Sequence, residues 1–449
     1  LMFPQVLSVI QVSFPSRERA TAFGIFGATI GLATITGPLA GGLLIQGNLL
    51  GLDWRPIFLV NVPIGILALG ASLRYLRESK APQALRLDLV GVGIVTAGLL
   101  LLVYPLVEGR DLGWPPWTFL SMAAAVPVLA AFAVYERRKQ AADGSPLVEP
   151  GLFRQRAFVA GLLVSGIFFM GISAFFLTFT IYLQIGLGFT ALHAGLTTIP
   201  FAVGSALAST ASVRLAPRLG RRILSIGSLL MAVGMAAVIW TIHRYGIGVH
   251  SWQLLPALAV CGLGLGLVVA PLVNIVLAGI RRQDAGSASG VLTTMQQVGG
   301  AVGVAIIGVI FFGLLGSHAS AVADQLTPGL RASLQTAGAP APVASHVVAG
   351  FRACFEDRAS AKDPSATPAS CRQAQAQAQA QSGRLGPDTG RRVGAALTAT
   401  ADTARRQDFT DSIQRTLLFE VVVFLLSFLL VLMLPGASGR ALVVRPEAA

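Results

Sequence analysis

Ten separate stretches of this chain, each about twenty residues long and nearly free of charge, constrain what it can fold into more than any other feature. They run approximately from Ala22 to Ile45, Ile57 to Leu76, Leu89 to Val107, Phe119 to Tyr135, Phe158 to Ile185, Ala194 to Leu215, Ile223 to Ile242, Leu254 to Ile280, Ala288 to Leu315 and Leu417 to Leu434. Wound as a helix, each is long enough to cross the roughly 30 Å of bilayer hydrocarbon. The chain as a whole is 54% apolar and only 12% charged, about half the charged share of a soluble domain, which excludes a conventional soluble enzyme. Its 50 Gly and 24 Pro also suit helices in lipid better than helices in water. The fold class expected is an all-α polytopic membrane protein with ten complete transmembrane helices. An eleventh stretch, Leu1 to Val12, is only partial: it would rise about 18 Å. It lacks the basic start and small-residue cleavage site of a signal peptide, so the simplest expectation is a fragment whose preceding spans lie upstream.

The net charge of +13 could mean nucleic acid or a membrane surface, and the placement of the charges decides. Basic clusters follow alternate stretches: Arg17 and Arg19; then Arg74, Arg77, Lys80 and Arg86; then Arg137, Arg138, Lys139, Arg154 and Arg156; then Arg214, Arg218, Arg221 and Arg222; then Arg281 and Arg282. The loops between them hold few or balanced charges. Under the positive-inside rule the basic segments are cytoplasmic, and the rule holds for every short loop. The charge therefore records insertion beside anionic lipid, with no nucleic-acid partner expected.

One segment, residues 317–412, contains no span and falls outside the membrane on the extracytoplasmic side by this count. It is rich in Ala, Pro, Ser and Gln, with an alternating Gln-Ala run from Gln373 to Gln381. So few large apolar side chains can bury little surface, which predicts a mostly disordered or weakly helical loop. Cys354 and Cys371 lie close together in it, on the oxidising side, where a disulfide and two free thiols are both open. Cys261, within an apolar span, reads as a small core residue.

Gly27, Gly31, Thr34, Pro38 and Gly41 recur at helical spacing in the first complete stretch, a small face suited to close helix contact, with Pro38 removing a backbone hydrogen bond. The run Gly37-Pro38-x-x-Gly41-Gly42 resembles the antiporter motif of the major facilitator superfamily, in its fourteen-span drug:proton antiporter branch. The segment from Asp53-Trp54-Arg55-Pro56 to Pro63-Ile64-Gly65 is similar to that family's approach to its sixth span. The run from Ala285 to Gly303 is similar to its thirteenth span. Two departures stand out. Ala33 replaces the motif's upstream glycine. In the cytoplasmic motif Leu215 to Arg222, Pro217 stands where an acidic residue is usual, so a carboxylate latch does not carry over. Its basic arm of Arg218, Arg221 and Arg222 does, beside the plainer reading of inside-positive anchors.

The resemblance implies a major facilitator fold. Residues 1–80 would be a remnant of the N-terminal lobe, 87–136 two central linker helices, and 157–434 the six-helix C-terminal lobe, with 317–412 as the long outer loop within it. It implies a secondary transporter rather than an enzyme, acting as a monomer in a bacterial plasma membrane and exchanging protons for small lipophilic or amphipathic compounds, including drugs. A metabolite or lipid exporter of the same fold, or a non-transporting fragment, remain the alternatives. The 30 Arg against 3 Lys fit a high-GC bacterial genome.

Proton coupling needs a group inside the pathway that gains and loses a proton. Of the 20 acidic residues, Glu420 is the one within an apolar span, which makes it the proton-relay candidate by default; the competing reading is a side chain reaching interfacial water. Asp88, Glu108 and Glu136 fall near helix ends. Gly286, Ser289, Thr293, Gln296, Gly300 and Gly303 form one polar or small face, directed to a neighbouring helix or a substrate cavity. With Asn61, Tyr182, Gln184 and Asn274, Thr293 and Gln296 are the pathway candidates. Few fixed charges lie in the spans, which suits lipophilic cargo. No metal-ligand spacing, phosphate-cradling loop or nucleophile elbow occurs, so no metal, cofactor or catalytic residue is expected.

Overall fold

In the computed structural model, the described residues are 6–434 apart from 8, 11–12, 48–50, 53, 76–87, 278, 282–283 and 362–366. Every regular element among them is a helix. In chain order they are α1 (Ser16–Gln46), α2 (Pro56–Leu59), α3 (Asn61–Tyr75), α4 (Leu89–Leu112), α5 (Pro116–Asp143), α6 (Arg156–Ile181), α7 (Ala191–Leu219), α8 (Arg222–Tyr245), α9 (Ser251–Leu277), α10 (Ala285–Thr336), α11 (Ala341–Ala359), α12 (Ala369–Leu385) and α13 (Pro387–Leu432). Each of the ten apolar stretches falls largely within one of these elements or, for Ile57 to Leu76, within α2 and α3 together. Among the described residues nine helices are long and apolar enough to cross a membrane; α1, a glycine-rich helix of 31 residues, is not one of the nine.

Helices α6 to α10 and the distal part of α13 share one apolar core built on Phe168, Phe175, Met231, Val268, Phe311 and Phe424. Packing is closest where glycines remove side chains. Gly262 of α9 faces the Phe201 backbone of α7, and Gly303 of α10 faces the Met170 carbonyl of α6. A backbone approach this close is what small residues permit between helices that gain little from hydrophobic burial in lipid. Helix α1 lies against α7 and α9. Its contacting face carries Gly24, opposite Val213, Gly27, opposite Ala270 and Ser209, and Gly42, opposite the Leu192 backbone. These positions are close to whole turns apart. Gly31 and Thr34, expected on the packing face, have side chains outside the described residues. Helices α4 and α5 form an antiparallel pair beside α10, and their side chains, like those of α3, are largely exposed, as lipid-facing surfaces are.

The long segment after Leu315 departs from expectation. It is helical: α10 runs on without a break to Thr336, α11 and α12 follow, and α13 begins at Pro387, thirty residues before its apolar part. With 52 residues α10 is about 78 Å long, so nearly half of it stands clear of the membrane. Leu330, Leu334, Val347, Val348, Phe351 and Val393 are buried together as a second core. Arg352 pairs with Asp324 at 2.8 Å, Gln407 donates to Gln325 at 2.8 Å, and Cys354 and Cys371 are joined by a disulfide. Average composition hid this. Alanine is the best helix former, and the few large apolar residues recur at three and four, so each helix has a face to bury although most of its side chains are small or polar.

Candidate functional site

Helix α13 enters the apolar bundle through buried polar side chains. Asp408, Ser412, Thr416 and Glu420 follow one another at intervals of four, and each is at most 1% exposed. Residues four apart are neighbours on a helix, and over these twelve residues the run winds about 120° around α13, which packs against α6, α8 and α10. Glu420 is fully buried, and neither carboxyl oxygen has a hydrogen-bond partner. The side chain therefore does not reach interfacial water, because α13 continues outward and the neighbouring helices enclose it. Thr416 donates to the Ser412 carbonyl at 2.7 Å, while the Ser412 hydroxyl and Asp408 Oδ1 are unpartnered. Such groups are costly to bury in isolation, and unpaired ones cluster where a structure does chemistry.

Tyr182 joins this region from the end of α6. A short π-helical turn, Tyr182–Gly186, follows α6, and the ring is fully buried with its hydroxyl beside Thr410. The other pathway candidates lie apart. Asn61 is exposed on α3 and donates to the Ile57 carbonyl at 3.3 Å. Gln184 is exposed and Asn274 half-buried on α9. Thr293 donates to the Ser289 carbonyl at 2.8 Å, and Gln296 is buried. On the polar face of α10, Gly300 and Gly303 meet Ser173 and Met170 of α6, so this part serves helix packing.

A cavity of about 810 Å³ opens between the α4–α5 pair and the α6–α10 pair, walled by Leu99, Leu129, Phe132, Phe153, Met295 and Val298. Its size suits a drug-sized molecule. None of the six pathway candidates lines it; it uses Gly290, Thr294 and Val298 of α10 instead. At its edge Glu136 is buried, accepting from the Val148 amide at 2.8 Å, and Asp88 accepts from the Gly91 amide and from the Tyr135 hydroxyl, both at 2.9 Å. These bonds fasten the ends of α4 and α5 to the segment leading into α6. The sequence placed both acids near helix ends and carried no sign of their burial.

The motif residues divide. Gly37 is exposed with open space around it, Gly41 has only Ile57 at 4.0 Å, and Gly42 presses on α7; the Pro38 side chain lies outside the described residues. In the basic motif, Gly220 turns the chain with φ +54° and Arg221 donates to the carbonyls of Leu432 and Leu434 at the end of α13. Orphan carbonyls and the negative end of a helix dipole favour a guanidinium there. Arg218 and Arg222 are exposed.

A bundle of membrane-length helices enclosing a drug-sized apolar cavity and a sealed-in carboxylate is the architecture of a polytopic membrane protein. The chain belongs to the Major Facilitator Superfamily, whose pattern it matches over residues 1–304. It is 40% identical over 438 residues to a protein of Streptomyces coelicolor described as a "probable actinorhodin transporter", covering 97% of this chain and 73% of that one. It is 35% identical over 318 residues to a puromycin resistance protein of Streptomyces alboniger, covering 70% and 61%. It is 30% identical over 346 residues to the multidrug resistance protein Stp of Mycobacterium tuberculosis, covering 76% and 60%. The chain thus spans about three fifths of the length of the latter two. These relatives and the membrane-length helices make it a multi-pass bacterial membrane protein.

Proposed function

We propose that this protein is a secondary transporter of the fourteen-span drug:proton antiporter branch, exporting drugs or other lipophilic or amphipathic compounds across the plasma membrane in exchange for protons. The relatives named for antibiotic transport and resistance support the cargo class, as does the apolar wall of the large cavity. Glu420 carries the proton-coupled part of the reading: a carboxylate fully buried among apolar helices without a partner is costly to ionise. Taking up a proton there, and losing it when the surroundings change, gives the protein two states with different preferences for substrate. A ligand shifts such an equilibrium only through differential affinity, so proton and substrate need only favour opposite states to be exchanged. On this reading the basic loops at the ends of α5, α7 and α9 are cytoplasmic, and α11, α12 and the base of α13 lie outside the cell.

The test uses proteoliposomes holding the complete protein as the cell makes it, loaded with a pH-sensitive dye. Ethidium or tetraphenylphosphonium should elicit proton movement opposite to its own. Glu420→Gln should abolish that movement while leaving substrate-for-substrate exchange intact. A wild-type protein that moves protons with phospholipid or polar metabolites, but not with either lipophilic cation, would replace the drug reading by a metabolite or lipid exporter. Unchanged proton stoichiometry in Glu420→Gln would remove Glu420 from the mechanism.

A further inference from the structure

We infer that Asp408 is a second proton-binding site, the outer entry stage from which protons reach Glu420. The inference rests on the proton-coupled reading above and adds a route to it. Twelve residues of helix separate the two carboxylates, about 18 Å, and the positions one and two turns along, Ser412 and Thr416, both carry hydroxyls. All four side chains are buried, each a neighbour of the next along α13.

Asp408 differs from Glu420 in what it meets at its outer side. It lies on the wall of a cavity of about 220 Å³ between the outer helices, the end of α6 and the middle of α10, with Phe312, Phe351, Phe355, Arg358 and Arg405. The charged groups around it come from several elements. Arg405 on its own helix pairs with Asp402 at 3.1 Å, Arg358 enters from α11, and Asp411 follows on α13, in a second cavity with Arg415, His243 of α8 and His318 of α10. The turn at the end of α6 adds the Tyr182 hydroxyl, beside Thr410. Inward of this level the surroundings change. The apolar parts of α6, α8 and α10 carry no charged side chain, and the polar groups facing α13 are hydroxyls, such as Ser228 against Ser427 at 3.3 Å.

This gradient is what a proton entry needs. A carboxylate on the wall of a cavity that water can enter can take up a proton there, and the arginines beside the cavity favour its ionised form and so its release of that proton onward. A hydroxyl both donates and accepts, so each of Ser412 and Thr416 passes on its own proton as it takes the next. Successive positions rise about 6 Å along the helix, so each transfer runs through a water admitted between neighbouring hydroxyls. The balance is simple: one proton leaves cavity water, Asp408 binds and releases it, and the Glu420 carboxylate becomes a carboxylic acid, with no other bond made or broken.

The experiment measures three quantities on the complete protein in proteoliposomes, with ethidium as transported probe: net proton-driven transport against pH on the outer side, protons moved per ethidium, and ethidium-for-ethidium exchange. Asp408→Asn should slow net transport by about tenfold or more, alter its outer-side pH profile, and leave both stoichiometry and exchange as in wild type. The double variant Ser412→Ala/Thr416→Val should slow net transport likewise, and Asp408→Glu should restore it. Wild-type rate and pH profile in Asp408→Asn overturn the inference while leaving the Glu420 reading standing if Glu420→Gln still uncouples. Loss of exchange together with net transport in Asp408→Asn marks a structural residue and also overturns it. If Glu420→Gln keeps full coupling, the underlying reading falls.

Discussion

Two glycines of one motif, Gly42 and Gly37, should respond differently to the same substitution. A Cβ added at Gly42 would stand 2.8 Å from Leu192 Cα, 2.9 Å from Leu192 N and 3.2 Å from Ala191 C, all backbone atoms at the start of α7. No side chain can rotate away. Ordinary carbon contacts lie at about 3.5 Å or more, so α1 must withdraw from α7 by about 0.7 Å locally. Overpacking of this order costs about 1–3 kcal/mol, and each 1.4 kcal/mol is tenfold in population. The cost falls on the arrangement in which α1 and α7 touch here, which on the proposed orientation is the one closed on the outer side. At Gly37 a Cβ meets nothing within 4 Å, and alanine gains up to about 1 kcal/mol of helix propensity. Gly42→Ala should therefore move the distance distribution between spin labels at Gln46 and His193 toward the separated form by roughly tenfold and slow transport. Gly37→Ala should leave both near wild type. Equal distance distributions in the two variants would refute the assignment of the motif's function to backbone contact at Gly42.

Further expectations follow from other contacts. Arg221→Ala removes the donor to the Leu432 and Leu434 carbonyls and should lower thermal stability in detergent by about 1 kcal/mol; Lys at this position should restore only part, lacking the fork of donors. If melting is unmoved, Arg221 is only a surface anchor. Cys354→Ser with Cys371→Ser opens a loop of 17 residues, worth about 3 kcal/mol of chain entropy. It should speed proteolysis of α11 and α12 while the membrane helices stay intact, and unaltered cleavage would count against the bridge as a stabiliser. Gly303→Leu drives a side chain into the Met170 backbone and should reduce folded yield by more than Gly313→Leu, which points into open space; equal yields would contradict the α6–α10 packing.

The transmembrane part was legible because lipid imposes one rule on every span: about twenty apolar residues with all backbone groups bonded internally. All ten stretches appear as helices for that reason. What escaped reading was set by neighbours outside the local window. Residues 317–412 look structureless by average composition, yet Leu330, Leu334, Val347, Val348 and Phe351 keep helical spacing through the alanines, and only pairing between distant helices makes their burial worthwhile. Glu420 was visible as a carboxylate in a span, but its burial is set by the helices α6, α8 and α10 packed against α13. The outer part of α13 continues the same helix that carries Glu420. This explains why Asp408 passed unnoticed, since it lies outside the apolar stretch and becomes a buried acid only once α13 is extended through it. Any proton reaching Glu420 from outside must then travel along protein rather than through open solvent, which is why the hydroxyls at 412 and 416 carry the weight of the inferred route.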